Sequence, residues 1–255
     1  MLTWPCLLRC FLCLLAVNNR LTFWVILEFF IFFSLLLLPK RRRTILYFTF
    51  QAVGGLLFLS GLTLSRNFLV ELGCIVKLGL FPFHHWILGV LTGRGLQVIF
   101  FLGVFSKYPL YNWCSSEFCV TLAVITLVGG SFLALWQPRL LGTLISSGVV
   151  SRGILVISNF YRVLNLYFGI YALSFALLLF RISKSQRFNS LLLFNLMGFP
   201  PLPLFFAKLS LLSSASDSLA MVRLLLTTFL MAIIYYVKLF KFISSGISIL
   251  RAENW

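Results

Sequence analysis

Four ionisable side chains and one imidazole stand inside apolar stretches that would normally expel them: Glu28, Lys77, Lys107, Lys208 and His84. An ionisable residue within a membrane-length apolar run is a functional candidate by default. The densest cluster is Lys77 to Trp86, reading KLGLFPFHHW. Lys77 and His84 are seven residues apart, so an unbroken helix sets them two turns apart on one face. Pro82 lies between them and predicts a break. A second break is expected at MGFPPLPLFFAK, where Pro200, Pro201 and Pro203 precede Lys208. The chemistry these residues suit is proton exchange. Burial favours a neutral amine, and a nearby carboxylate favours the ammonium. A Glu28–Lys77 pair would hold Lys77 protonated while intact. Breaking a fully buried pair costs about 3–5 kcal/mol, enough to drive a proton off. His84 could help carry it, since imidazole titrates near neutrality.

Composition sets the frame for these residues. The chain has 255 residues, is 61% hydrophobic and is 10% charged. Soluble domains are about 45–50% apolar and about 25% charged. Runs near the roughly 20 residues of a membrane span recur from end to end. The expected fold is all-α: a polytopic transmembrane helical bundle, one membrane domain over residues 1–255 with no room for a soluble domain. The net charge of +16 then marks orientation rather than nucleic-acid binding.

Ten spans are expected. They run over Pro5 to Val17, Leu21 to Leu38, Thr44 to Ser65, Phe68 to Thr92 and Leu96 to Trp113. The others are Phe118 to Trp136, Leu140 to Ile157, Val163 to Phe180, Phe188 to Leu212 and Leu219 to Ile243. The first lacks a small-residue cleavage site and reads as a helix. Its Cys6, Cys10 and Cys13 are expected to be buried thiols packing as small hydrophobes, because they stand in an apolar helix with no surrounding loop. Gly54, Gly55 and Gly61 predict close helix packing in the third span. The fifth holds Lys107 beside Pro109, and the sixth reads as scaffold. Polar, glycine-rich Ser146 to Gly153 predicts a broken or loosely wound middle for the seventh. Arg152 within it suits packing against a headgroup or neighbour as well as transport.

Loop charge sets the topology. Lys40, Arg41, Arg42, Arg43, Arg94, Arg139, Arg181, Lys184 and Arg187 follow even-numbered spans. The positive-inside rule puts those loops and both termini on the cytoplasm-equivalent side. The spans divide into two fives, 1–116 and 117–246, and the fourth of each five carries a glycine–proline break and a lysine. An odd number of helices per unit inverts the second. Inverted repeats with broken helices near the midplane are a transporter signature.

These motifs, in this order, resemble the chain 2 family of mitochondrial NADH–ubiquinone oxidoreductase (complex I), whose members are antiporter-like proton-translocating subunits. WVILE at Trp24 to Glu28, YFTFQA at Tyr47 to Ala52, KLGLFPFHHW, SKYPL around Lys107, and SLLLFNLMGFPPLPLFFAKL carry the likeness. Three features depart from the family pattern. His85 takes an aromatic position, Ile87-Leu88-Gly89 replaces a proline–acid pair, and Ser151 stands where a seventh-span histidine is common. The link between the two halves is therefore open at this point.

The resemblance implies an antiporter-like fold and proton transfer through Glu28, Lys77, His84, Lys107 and Lys208, with Lys107 relaying between halves. It implies an inner mitochondrial membrane location with both termini in the matrix, and an end after the penultimate family helix. Partners would be other membrane-arm subunits, including neighbouring antiporter-like ones, and lipids such as cardiolipin, with no nucleic acid. No cofactor is expected in this chain. NADH, FMN, iron–sulfur clusters and ubiquinone would belong to partner subunits, so the enzyme activity attaches to the complex. A stand-alone cation/proton antiporter and a non-pumping structural subunit are the alternatives.

Overall fold

The computed structural model describes residues 3–17, 19–36, 42–91, 96–138, 140–181 and 186–244. All regular elements among them are helical. α1 (Thr3–Ala16), α2 (Arg20–Leu36) and α3 (Arg42–Thr63) are continuous. The fourth stretch is cut into α4 (Asn67–Leu78) and α5 (His85–Leu91). The fifth is cut into α6 (Leu96–Gly103), a 3-10 turn (Phe105–Lys107) and α7 (Tyr108–Tyr111). α8 (Glu117–Trp136), α9 (Leu140–Phe160) and α10 (Leu164–Arg181) are continuous. The ninth stretch is cut into α11 (Gln186–Met197) and α12 (Pro203–Ser214), and α13 (Leu219–Ser244) follows. The ten expected stretches are all present as helix. Among the described residues, four helices are long and apolar enough by themselves to cross a membrane: α3, α8, α9 and α13.

The breaks follow from proline chemistry. A proline has no N–H and its ring clashes with the carbonyl four residues back. Leu78 lies four residues before Pro82, and α4 ends on it. Met197 lies four residues before Pro201, and α11 ends on it. Each helix closes on a glycine in the left-handed region, Gly79 at φ 67° and Gly198 at φ 79°, where a Cβ is disfavoured. The closing hydrogen bonds correspond. Leu80 N–H donates to the Ile75 carbonyl at 3.2 Å and Phe199 N–H to the Phe194 carbonyl at 3.1 Å. Pro203 opens α12 at its first position, where no N–H is needed. The break in the fifth stretch was expected only as a lysine–proline neighbourhood inside one span. It arises because Pro109 is tolerated near a helix start, so α7 begins anew at Tyr108.

Two expectations are corrected. α9 runs unbroken through Ser146 to Gly153. Its serines bond back to the helix: Ser146 to the Gly142 carbonyl at 2.9 Å, Ser147 to Leu144 at 2.7 Å and Ser151 to Ser147 at 3.0 Å. Gly153 lets α9 close on α8, since a Cβ there would meet the Ala123 carbonyl at 2.9 Å. The α1 cysteines are not buried: Cys6 and Cys10 are half-buried and Cys13 is exposed. The core-facing stripe of α1 is Leu7, Phe11 and Leu14, and the cysteines fall on its flank.

Helices α3 and α4 pack closely, as do α8 and α9. The expected glycine packing holds in α3, where a Cβ on Gly61 would meet Val70 N at 2.6 Å. Large apolar side chains such as Leu56, Leu173 and Leu230 point outward, as a lipid-facing surface requires. Of the basic loop residues, Lys40, Arg41, Arg94, Arg139 and Lys184 lie outside the described residues.

Candidate functional site

Lys77 is wholly buried, and its Nζ donates to Glu28 Oε1 at 2.6 Å. The carboxylate comes from α2 and the ammonium from the last turn of α4. α3 runs between them and makes the space with two glycines. A Cβ on Gly54 would meet Lys77 Cγ at 2.6 Å, and one on Gly55 would overlap the Glu28 carboxylate and lie 3.3 Å from Lys77 Nζ. Glu28 is one-third exposed. It opens through Trp24, Val25, Phe29 and Phe32 onto a concave apolar surface.

Among the described residues, the other buried cations, Lys107, Arg152 and Lys208, have no carboxylate partner. They bond to backbone carbonyls that the helix breaks set free. In an unbroken helix the Phe81 N–H would bond the Lys77 carbonyl. Instead it donates to Thr126 Oγ1 of α8 at 2.9 Å. The Lys77 carbonyl accepts from Lys107 Nζ at 2.8 Å, and Lys107 also lies 5.1 Å from the Trp86 ring centre. The Lys107 N–H turns to the Val104 carbonyl, which frees Gly103. The Gly103 carbonyl accepts from Arg152 Nη2 at 2.9 Å and more weakly from Nε at 3.3 Å. Pro201 has no N–H for Met197, and the Met197 carbonyl accepts from Lys208 Nζ at 2.5 Å. The Lys208 ammonium lies 4.7 Å from the Phe229 ring centre. A helix C-terminus carries roughly half a negative elementary charge, so each break builds a cation site without an acid.

The expected residues thus divide. Glu28, Lys77 and Lys107 form one chain of bonds, in which the Lys77 side chain meets Glu28 and its carbonyl meets Lys107. Lys208 sits at the second break, behind Asn195, whose Oδ1 accepts from Leu204 N–H at 3.1 Å and whose Nδ2 donates to Ser174 at 2.6 Å. His84 is buried. Its ring contacts are Phe81 and His85, at 5.7 and 4.1 Å between centres, because Pro82 turns the chain before it. Lys107 is 2% exposed. Sequence reasoning did not single out Thr126, Asn195 or Tyr171, and left Arg152 undecided. A threonine or asparagine in an apolar helix is no signal until its partner is known. Among the described residues no group of three His, Cys, Asp or Glu side chains is placed to hold a metal.

No family model matches the chain. It is 26% identical over 250 residues to NADH-ubiquinone oxidoreductase chain 2 of Albinaria caerulea, covering 88% of this chain and 81% of that one. It is 25% identical over 122 residues to NADH-ubiquinone oxidoreductase chain 2 of Artemia franciscana, covering 46% of this chain and 41% of that one. It is 26% identical over 218 residues to NAD(P)H-quinone oxidoreductase subunit 2 of the Chara vulgaris chloroplast, covering 68% of this chain and 44% of that one. The chain thus spans less than half the length of the last two. Among solved structures, a chain of respiratory complex I from Thermus thermophilus matches with a TM-score of 0.78 and 21% identity, over 88% of this chain and 65% of that one. A chain of the Mrp complex from Dietzia matches with a TM-score of 0.70 and 15% identity, over 87% of this chain and 56% of that one. The chain has the fold of the antiporter-like membrane subunits found in these complexes, and in sequence it resembles NADH–ubiquinone oxidoreductase chain 2.

Proposed function

We propose that this chain is a membrane-arm subunit of respiratory complex I that moves protons across the inner mitochondrial membrane. The observation that carries the reading is the set of buried cations on freed helix-end carbonyls, with Glu28 as counter-carboxylate to Lys77. A lysine held by a carbonyl can lose its proton without leaving a buried acid uncompensated. A lysine paired with a carboxylate keeps its proton until the pair opens. Glu28 is the member exposed to neighbours, so a change of charge in an adjacent subunit would act first on the Glu28–Lys77 pair. Lys107 and Lys208 then exchange protons further along. The corresponding breaks of the fourth and ninth stretches support two repeats, 1–116 and 117–246, with the second inverted by its odd helix count. Both termini are assigned to the matrix from the loop charge. NADH, FMN, iron–sulfur clusters and ubiquinone are assigned to partner subunits, and cardiolipin to the outer surface.

The test has two stages. Mild solubilisation of the native membrane, a native gel stained for NADH dehydrogenase activity, and peptide sequencing of the active band should find this chain there. Lys77→Met and Lys208→Met should each then lower the protons moved per NADH oxidised in the assembled complex. Unchanged pumping in both would defeat the site assignment. The likeness to a chain of the Mrp complex favours a second reading, a cation/proton antiporter that works without a redox partner. That reading expects the chain in a smaller species without NADH activity.

A further inference from the structure

Three thiols gather where α4, the end of the fifth stretch and the start of α8 meet. Cys74, Cys114 and Cys119 are each wholly buried, and the proton-transfer reading uses none of them. Hydrogen bonds bring their backbones together. Ser116 caps α8: its Oγ accepts from the Cys119 N–H at 3.3 Å and donates to Glu71 Oε2 at 2.5 Å. Cys74 is three residues beyond Glu71, on the same face of α4. Ser116 thus sets the first turn of α8 against the cysteine face of α4. Cys114 stands in the turn between α7 and α8. Its N–H donates to the Tyr111 carbonyl at 3.0 Å, and its carbonyl accepts from Asn159 Nδ2 of α9 at 3.2 Å. The Cys114 thiol interacts directly with those of Cys119 and Cys74. The cover over the group is thin, since Ser115 and Glu117 are exposed and Ser116 is half-buried. Among the described residues these thiols do not form a metal-holding group, which leaves chemistry between two thiols at a time.

We propose that Cys114 and Cys119 are an oxidation site that closes to a reversible disulfide, with hydrogen peroxide as the oxidant. Burial sets the oxidant class: a small uncharged molecule passes a thin cover that turns away a charged or bulky one. Cys119 is the attacking sulfur, because the first turn of a helix favours negative charge and it is the thiolate that reacts. Its sulfur bonds to one peroxide oxygen as the O–O bond breaks. The other oxygen leaves as water with the Cys119 thiol proton, and Cys119 is left as a sulfenic acid. The Cys114 sulfur then attacks the Cys119 sulfur. The S–O bond breaks, and the hydroxyl leaves as a second water with the Cys114 proton. Two thiols are oxidised by two electrons and one peroxide is reduced by two. Cys114 sits in a turn and Cys74 within the continuous α4, so pairing across the turn disturbs no helix. The bridge fixes the turn that joins the Lys107 stretch to α8, and a thiol reductant releases it.

The test uses native membranes holding the full chain. They are treated with hydrogen peroxide, free thiols are blocked with an alkylating reagent, and the chain is digested without reduction and read by mass spectrometry. Cleavage after Glu117 should leave the Cys114 and Cys119 peptides joined, lighter than the two thiol peptides by two hydrogens. Dithiothreitol before the alkylating step should separate them and let both sulfurs take the label. Cys114→Ser should abolish the joined product, and Cys74→Ser should keep it. Recovery of Cys114 and Cys119 as alkylated thiols after peroxide overturns the proposal. So does their recovery as separate sulfonic acids, or a bridge from Cys114 to Cys74. If Cys114→Ser does not accumulate, the map of the wild-type chain decides alone. None of these readouts depends on proton movement, so the site stands or falls apart from the function proposed above.

Discussion

The ammonium of Lys107 is bonded to the backbone carbonyl of Lys77 at 2.8 Å, and among the described residues it meets no acid. That carbonyl is available because α4 stops one residue later and the Phe81 N–H turns to Thr126. The same accounting explains Arg152 on Gly103 and Lys208 on Met197. It also explains Lys238 on α13, which donates to the Leu135 and Gln137 carbonyls at the end of α8 at 2.8 and 2.6 Å. Charge-assisted bonds of this kind are roughly twice as strong as neutral ones.

The Glu28–Lys77 pair depends on empty space in α3. Gly55→Ala places a methyl group on the Glu28 carboxylate and should separate the pair as effectively as Glu28→Gln does. For either variant we expect a loss of about 2 kcal/mol, below the 3–5 of a fully buried pair because the carboxylate is one-third exposed. Thermal unfolding of the solubilised complex checks this. A Gly55→Ala protein with wild-type stability and pumping would show that the pair is not held as described. Gly169→Ala, with open space around it, is the control and should be close to neutral.

Gly198 does two jobs at the second break. It takes a positive φ of 79°, and a Cβ there would meet Lys208 Cδ at 2.7 Å and Nζ at 2.8 Å. Gly198→Ala should cost about 1–2 kcal/mol from the left-handed backbone and also displace the Lys208 ammonium from Met197. Proton pumping should therefore fall further than stability does. Equal pumping at reduced stability would show that the Lys208–Met197 contact is structural only.

Thr126 is the polar group by which α8 holds the first break. Thr126→Val keeps the shape and removes the acceptor of the Phe81 N–H, at an expected cost of about 1 kcal/mol because the bond is only part-buried. Faster hydrogen exchange at the Phe81 amide, with protection across α8 unchanged, is the expected sign. Unchanged exchange at Phe81 would exclude the role.

Lys238→Met should loosen α13 from the end of α8, while Lys238→Arg should keep it. The expected loss for Met is about 1–2 kcal/mol, since the site is only partly buried and the two carbonyls can hydrate. Thermal unfolding separates the two variants, and equal midpoints for Met and Arg would remove the claim.

Much of this molecule is local and was readable in the residues. Apolar runs of near-membrane length gave the helical stretches, because in lipid each segment must satisfy its own backbone groups. Pro82 and Pro201 marked two breaks, because a proline acts on the carbonyl four residues behind it wherever the chain is placed. Glu28, Lys77, Lys107 and Lys208 stood out because charge in an apolar run is expensive. Which cation meets which carbonyl was not readable, since Lys107, Arg152 and Lys238 lie 30, 49 and 103 residues from carbonyls they bond and only packing brings them together. Ser146 to Gly153 read as a weak helix, yet its hydroxyls bond their own carbonyls and α8 takes up its glycine face. Arg152 had no legible role because its partner is a glycine carbonyl on another stretch, and a carbonyl freed by a distant proline leaves no mark in the sequence around the residue that fills it.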